Sequence, residues 1–144
     1  METTCEKALA LIENRDWKAW RGLPASCSMA ELAARYPQLS AGSGRANLGS
    51  DVVPAEFKTL QLAGHGKPLR VWYREGAVVE IELEYPEIEG GFATLSAMLG
   101  EPAATLDYYQ RTVRYDKSAF VYPDRGIAVL YNPSRSAVIR IYLF

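Results

Sequence analysis

Two stretches of the chain, 69–83 and 127–143, carry nearly the same string of side chains, and that likeness limits the folds open to it. Ala77-Val78-Val79-Glu80-Ile81-Glu82-Leu83 matches Ala137-Val138-Ile139-Arg140-Ile141-Tyr142-Leu143 at every aliphatic position, sixty residues apart. Leu69-Arg70-Val71-Trp72-Tyr73 matches Ile127-Ala128-Val129-Leu130-Tyr131, fifty-eight apart. The difference of two falls between the members of each pair, in Arg74-Glu75-Gly76 and Asn132-Pro133-Ser134-Arg135-Ser136, where an insertion disturbs least. Each pair reads as a β-hairpin of short alternating strands.

Helical signals precede each hairpin block. Ser28 with Glu31 forms a capping box, Met29, Leu32, Ala33 and Tyr36 make an apolar stripe, and Pro37 ends a helix over 28–36. Residues 91–99, GFATLSAML, read as a helix stopped by Gly100 and Pro102. A longer helix is expected over 4–20, from a Thr3–Glu6 capping box and the spacing of Leu9, Ile12, Ala19 and Trp20. The first two helices would form an αα-hairpin. Further strands are expected at 57–63, around 105–115 and at 119–123. The Ser- and Gly-rich stretch 38–54 reads as a mobile loop.

The fold class that follows is α+β in two layers: one antiparallel sheet built from two repeated helix–strand blocks, with the helices on one face and an additional N-terminal helix. The chain is a single domain, 1–144, divided into an N-terminal helix and connection (1–27), a first block (28–86) and a second block (87–144). At 144 residues, folding buries roughly 70% of the unfolded surface, so a core forms without metal or disulfide.

Alternation assigns the faces. Val79, Ile81, Leu83 and Tyr85 point to the helices, as do Ile139, Ile141 and Leu143. The open face receives Arg70, Trp72, Arg74, Glu80, Glu82, Glu84, Leu130, Arg140 and Tyr142. Val138 and Phe144 join them. Two readings of that face stand side by side. Trp, Tyr and Arg are the residues that dominate protein interfaces, and the glutamates would select a partner with a basic patch. Alternatively, Arg70 and Arg74 pair with the three glutamates across strands, and the face is solvated.

Other chemistry finds little support. A net charge of −1 and a pI near 5.9 weigh against nucleic acid, although Tyr108, Tyr109, Arg111, Arg114 and Tyr115 interleave aromatic and basic residues. The single histidine, His65, sits between glycines in a turn and lacks partners for catalysis or metal binding. Gly42-Ser43-Gly44-Arg45 lacks the strand–helix context of a phosphate cradle. The acids of 80–89 lack a calcium-loop spacing, and a catalytic pair would need one acid with a raised pKa, where regular alternation suggests a solvated row. No cofactor or metal is expected. Cys5 and Cys27 read as reduced, semi-buried thiols. No apolar run is long enough for a membrane span. The expected compartment is the cytoplasm, or the periplasm or exterior if a signal peptide was removed.

The segments SMAELAARYP and FATLSAMLGEP, each followed by a strand block, resemble the tandem helix-plus-antiparallel-sheet units of the β-lactamase inhibitory protein family. They are also similar to the single units of small outer-membrane assembly lipoproteins. LGEPAATLDY followed by FVYPDRGIAVLYN is similar to small bacterial immunity-type domains. The resemblance covers 28–144 and implies a binding protein whose open sheet face grips a partner. The expectation is a non-enzymatic protein-binding module, an inhibitor or immunity protein that occludes a bacterial toxin or enzyme. The alternatives are an accessory envelope protein of the assembly-lipoprotein type and, further off, a small hydrolase or ligand-binding domain.

Overall fold

Thr4 starts the first helix. Its hydroxyl accepts a hydrogen bond from the Lys7 N–H at 3.2 Å, satisfying one of the free donors of the first turn. The structure is a computed structural model and describes residues 4–48, 51–61, 68–84, 86, 88, 90–110, 113–132 and 137–144, without the side chains of 47–48, 51–52, 106–110 and 113–118. His65, Tyr85, Arg111 and the turn at 133–136 lie outside the described residues, as do the side chains of Tyr108, Tyr109, Arg114 and Tyr115.

Helix α1 spans Cys5–Glu13, and not the longer 4–20 expected from spacing. It ends at Asn14, and Arg15 takes a left-handed φ of 53°, which no helix continues. Trp17 and Trp20 are buried nonetheless, because the following turn folds them onto the same core as Leu9 and Ile12. Helix α2 spans Met29–Arg35, with Ser28 accepting from the Glu31 N–H at 3.2 Å as the capping box predicts. Cys5, at the start of α1, is disulfide-bonded to Cys27, just before α2. At the far ends, Glu13 accepts from the Tyr36 hydroxyl and pairs with Arg35 at 3.4 Å. Both ends therefore meet in the same order, so α1 and α2 run parallel and are not an αα-hairpin. The thiols are not free. Helix α3 spans Gly91–Leu99 and stops at Gly100.

The strands are β1 (Gln38–Leu48), β2 (Asp51–Leu60), β3 (Leu69–Arg74), β4 (Ala77–Glu84), β5 (Ala104–Gln110), β6 (Val113–Tyr122), β7 (Ile127–Asn132) and β8 (Ala137–Leu143). They form one antiparallel sheet in the order β1-β2-β3-β4-β8-β7-β6-β5. The stretch expected as a mobile loop is instead a long hairpin arm, with Gly42 opposite Phe57 and Gly44 opposite Ala55. Ser40, Gly42, Ser43 and Gly44 are strand residues at the sheet edge. Consecutive strands are neighbours in space except β4 and β5; β4 pairs instead with β8, where Ile81 faces Leu143 and Leu83 faces Ile141.

All three described helices cover one face. Leu9, Ile12, Leu32, Leu95 and Leu99 pack on Leu60, Leu69, Val71, Ile81, Leu83, Ile127, Val129, Ile141 and Leu143. Each such aliphatic side chain contributes about 1.5–3 kcal/mol on full burial. Phe92 of α3 stacks on Tyr131 with ring centroids 3.8 Å apart. The connection after α1 is locked to the sheet end. Trp20 Nε1 donates to Gly126 O at 2.9 Å, and Leu23 N donates to Phe144 O at 3.1 Å. Gly126 adopts φ 64°, and a Cβ there would stand 2.2 Å from Phe144 O, so only glycine fits.

Both central hairpins carry a bulge. The register shifts between Trp72 and Tyr73 opposite Val79, and between Leu130 and Tyr131 opposite Ile139. The extra residue corrects the expected faces. Val78 and Val138 pack with the helices, while Ile139 joins Val121, Ala128, Leu130 and Tyr142 on the opposite face. Strict alternation had placed Val79 and Ile139 toward the helices and Val138 away from them.

The disulfide closes a loop across a sequence separation of 22 residues. Cross-linking a loop of that size stabilises by about 3 kcal/mol in the chain-entropy picture. Reduction, or Cys27→Ser, is expected to lower the stability measured by urea unfolding by about 2–4 kcal/mol while leaving the far-ultraviolet circular dichroism unchanged. An equal midpoint with and without reductant would show that the bond does not staple the helices.

Candidate functional site

The sheet face away from the helices is concave. In a flat sheet, three inter-strand steps would put ~14 Å between β1 and β4. The two strands instead approach within 8 Å between Cα atoms, so the β1–β2 arm curls inward. Glycines permit the approach. A Cβ on Gly42 would stand 2.7 Å from the Phe57 ring, and one on Gly44 would stand 3.3 Å from the Trp72 indole. Phe57 and Trp72, opposite one another on β2 and β3, have ring centroids 4.9 Å apart at 60°. The Gly-Ser-Gly-Arg stretch therefore makes room for aromatic rings.

Curling buries what alternation had placed in water. Trp72 is 5% exposed, Tyr142 6% and Glu80 0%. They lie on the expected face, yet they form its floor and do not project from it. Leu130 is buried as well, against Val121, Ala128 and Ile139. Glu80 and Glu82 are thus not members of a solvated row; only Glu84 is exposed. Sheet register brings the charged groups together in sequence. Trp72 faces Glu80, Arg70 faces Glu82, Glu82 faces Tyr142 and Glu84 faces Arg140. Arg74 stands apart at the hairpin end opposite Ala77, exposed, beside a recess of about 550 Å³ that also touches Ser43, Pro54 and Glu56.

The electrostatics follow from burial. Loss of solvation pushes the Glu82 carboxyl above its ordinary value. Arg140 and Arg70 pull it back, Glu84 adds to the rise, and the Trp72 indole N–H favours the charged form. That N–H is buried and makes no aligned hydrogen bond. Burial also raises the Tyr142 hydroxyl. For Arg140 burial works against the charge, but the hydrogen bond with Tyr142 and the carboxylates of Glu82 and Glu84 outweigh it and hold the guanidinium charged. Arg70 reaches Glu82 only at 4.0 Å, with side chains 44% and 11% exposed. A pair this long and this open contributes about 0.2–1 kcal/mol. The Arg70 guanidinium also lies 4.5 Å from the Phe57 ring centroid and 5.9 Å from that of Trp72. Phe57 belongs to the site and was not among the expected residues. Its signal was present as an aromatic one strand away from a Gly-x-Gly of period two.

A second recess, about 780 Å³, lies on the helix side between Asn14–Trp17 and α3. It is remote from the concave face. Among the described residues no group of three or more His, Cys, Asp or Glu is arranged to hold a metal, and no helix is long and apolar enough to cross a membrane. No protein family, curated protein or solved structure matches the chain.

Two outcomes follow from this geometry. Glu82 holds its proton more tightly in the folded chain than in the unfolded one. The stability it lends is therefore present below the ordinary carboxylate range and is lost as pH rises through the raised value. Glu82→Gln is expected to be at least as stable as the parent at pH 7, with an advantage that grows between pH 4 and 7 in denaturant titrations. A variant less stable at pH 7 than at pH 4, relative to the parent, would mean that pairing outweighs burial. At the arm, Gly42→Ala forces the Phe57 ring aside and is expected to cost about 1–3 kcal/mol. Adding Phe57→Leu should recover part of that loss, and strict additivity of the two changes would show that ring and glycine are not coupled.

Proposed function

We propose that the chain is a non-enzymatic protein-binding module, an inhibitor or immunity protein that occludes a bacterial enzyme or toxin with its concave sheet face. One observation carries the reading: the described helices pack on a single face, and the opposite face presents charged side chains over a buried aromatic floor. A floor already packed loses little freedom on association, which favours affinity. The roles differ from those of projecting anchors. Glu84 and Arg140 are the rim charges a partner would meet, Arg70 lies over the rings, and Trp72, Tyr142 and Leu130 shape the surface beneath them. Glu82, partly screened, tunes the local charge and favours a basic partner patch.

The disulfide between Cys5 and Cys27 fits an oxidising compartment, the periplasm or the exterior, better than the cytoplasm. Acid catalysis is the second reading, favoured by the raised Glu82 beside Glu80. It requires substrate access to a carboxyl that is nearly covered. Binding requires the rim charges and, where Arg70 gives way, that carboxyl only as a counter-charge.

Affinity capture tests the proposal, with a Glu84→Lys variant as control and thermal melting to show that the control is folded. One enzyme or toxin should be held by the parent and bound at least tenfold more weakly by the variant, and the parent should inhibit it in a purified assay. Equal retention by both proteins would move the interface elsewhere. Recovery within a multi-subunit envelope assembly, without inhibition of any member, would replace the inhibitor reading by an accessory one.

A further inference from the structure

We infer that Arg70 is an internal stand-in for a partner arginine, seated over Phe57 and Trp72 beside Glu82 until a partner side chain displaces it. This deepens the protein-binding reading above and rests on it for the identity of the occupant as a protein side chain. The seat has three built parts. Two rings, 4.9 Å between centroids, supply the π faces. A carboxylate with an 11% exposed side chain supplies the counter-charge. The third is the indole N–H of Trp72, a residue 95% buried, which makes no aligned hydrogen bond and points its polar edge toward that same carboxylate.

The present occupant is poorly fixed. Arg70 is 44% exposed, stands 4.0 Å from Glu82, and sits off-centre, closer to Phe57 than to Trp72. A well-made arginine–carboxylate pair is bidentate and shorter, ~2.7–2.9 Å. Arg70 reaches the seat from β3, directly opposite Glu82 on β4, and its guanidinium lies over Phe57 and not head-on to the carboxylate. An arginine arriving from outside the concave face has no such tether. Charge complementarity selects it. Among the charges that act on Glu82, removing Arg70 leaves Glu82 and Glu84 beside Arg140, a negative site lined by rings. A guanidinium fits better than an ammonium, because a planar group stacks on the rings while donating in its plane.

The test uses a small probe, so that it does not depend on finding the natural partner. N-acetyl-arginine amide is titrated into the full chain, with N-acetyl-citrulline amide as the neutral isostere. Binding is read from the indole N–H resonance of Trp72, assigned with Trp72→Phe. The parent is expected to bind weakly. Arg70→Ala should bind the arginine probe at least fivefold more tightly, Arg70→Lys should lie between, and citrulline should not bind. Glu82→Gln in the Arg70→Ala background should abolish the gain, with melting curves confirming that each variant is folded. Arginine binding unchanged or weakened in Arg70→Ala would overturn the inference, as would citrulline binding as well as arginine. If capture finds no protein partner while the probe behaves as expected, the seat stands and the protein-binding reading fails. If a partner is found but the probe shows no gain, the reverse holds.

Discussion

The pairing of β4 with β8 is the constraint on which the rest of the structure depends. It joins two runs of four consecutive strands, β1–β4 and β5–β8, into one sheet. Without it each run would expose a central strand edge, an open template for association. The register is held from the helix face, where Ile81, Leu83, Ile141 and Leu143 are all essentially buried. A slip of one residue would turn the pair on the displaced strand, Ile81 and Leu83 or Ile141 and Leu143, to the concave face and bring Glu82 or Tyr142 under the helices. The seam therefore decides the core and the candidate site together.

Curvature is the second determinant. A sheet with helices on one side leaves the other open unless it bends, and bending needs room on the inner face. Gly42 and Gly44 provide it at the β1 edge, where rings of Phe57 and Trp72 fill the space that a side chain would occupy. On the far half, Ala104, Ala119 and Ala128 are the short side chains beside Val121 and Leu130. The bulges at Val79 and Ile139 add twist where the two hairpins meet the seam. Small residues and bulges thus account for a concave surface without any special loop.

Hairpins and two of the helix boundaries were legible because their signals are local. Ser28, Pro37, Gly100 and the alternation of 69–83 act within a few residues of themselves. Burial on the concave face was not legible, since it depends on β1 reaching β4 across two intervening strands. Period-two glycines on a strand look like a loop when their aromatic partners are out of view. The bulges were hidden for a related reason. One extra residue shifts the parity of everything beyond it, and Val78-Val79 or Val138-Ile139 satisfies either assignment equally well. The disulfide lay beyond local signals too, since pairing requires that the starts of α1 and α2 sit together. The nine residues expected at the site do lie on or at the rim of one face, but their division into floor and rim comes from curvature alone.

Charge at the centre of this face is hard to explain by folding. Burying a carboxylate is unfavourable unless partners compensate, and an apolar residue of similar size at position 82 would avoid the difficulty. The corresponding position in the second hairpin is Tyr142, and that of Glu80 is Arg140, so hairpins of like backbone differ where their side chains meet the concavity. The second half of the face shows that a more apolar solution is accessible, since Val121, Ala128, Leu130 and Ile139 pack together there. The first half instead keeps two screened glutamates, two rings and a loosely held arginine. Local departures from the most stable packing are expected where a surface has a task beyond holding itself together. Under the proposed binding role, the polar half, bounded by Phe57, Arg70, Trp72 and Glu82, is the part of the face that would meet a partner, and the apolar half is the packed floor beside it.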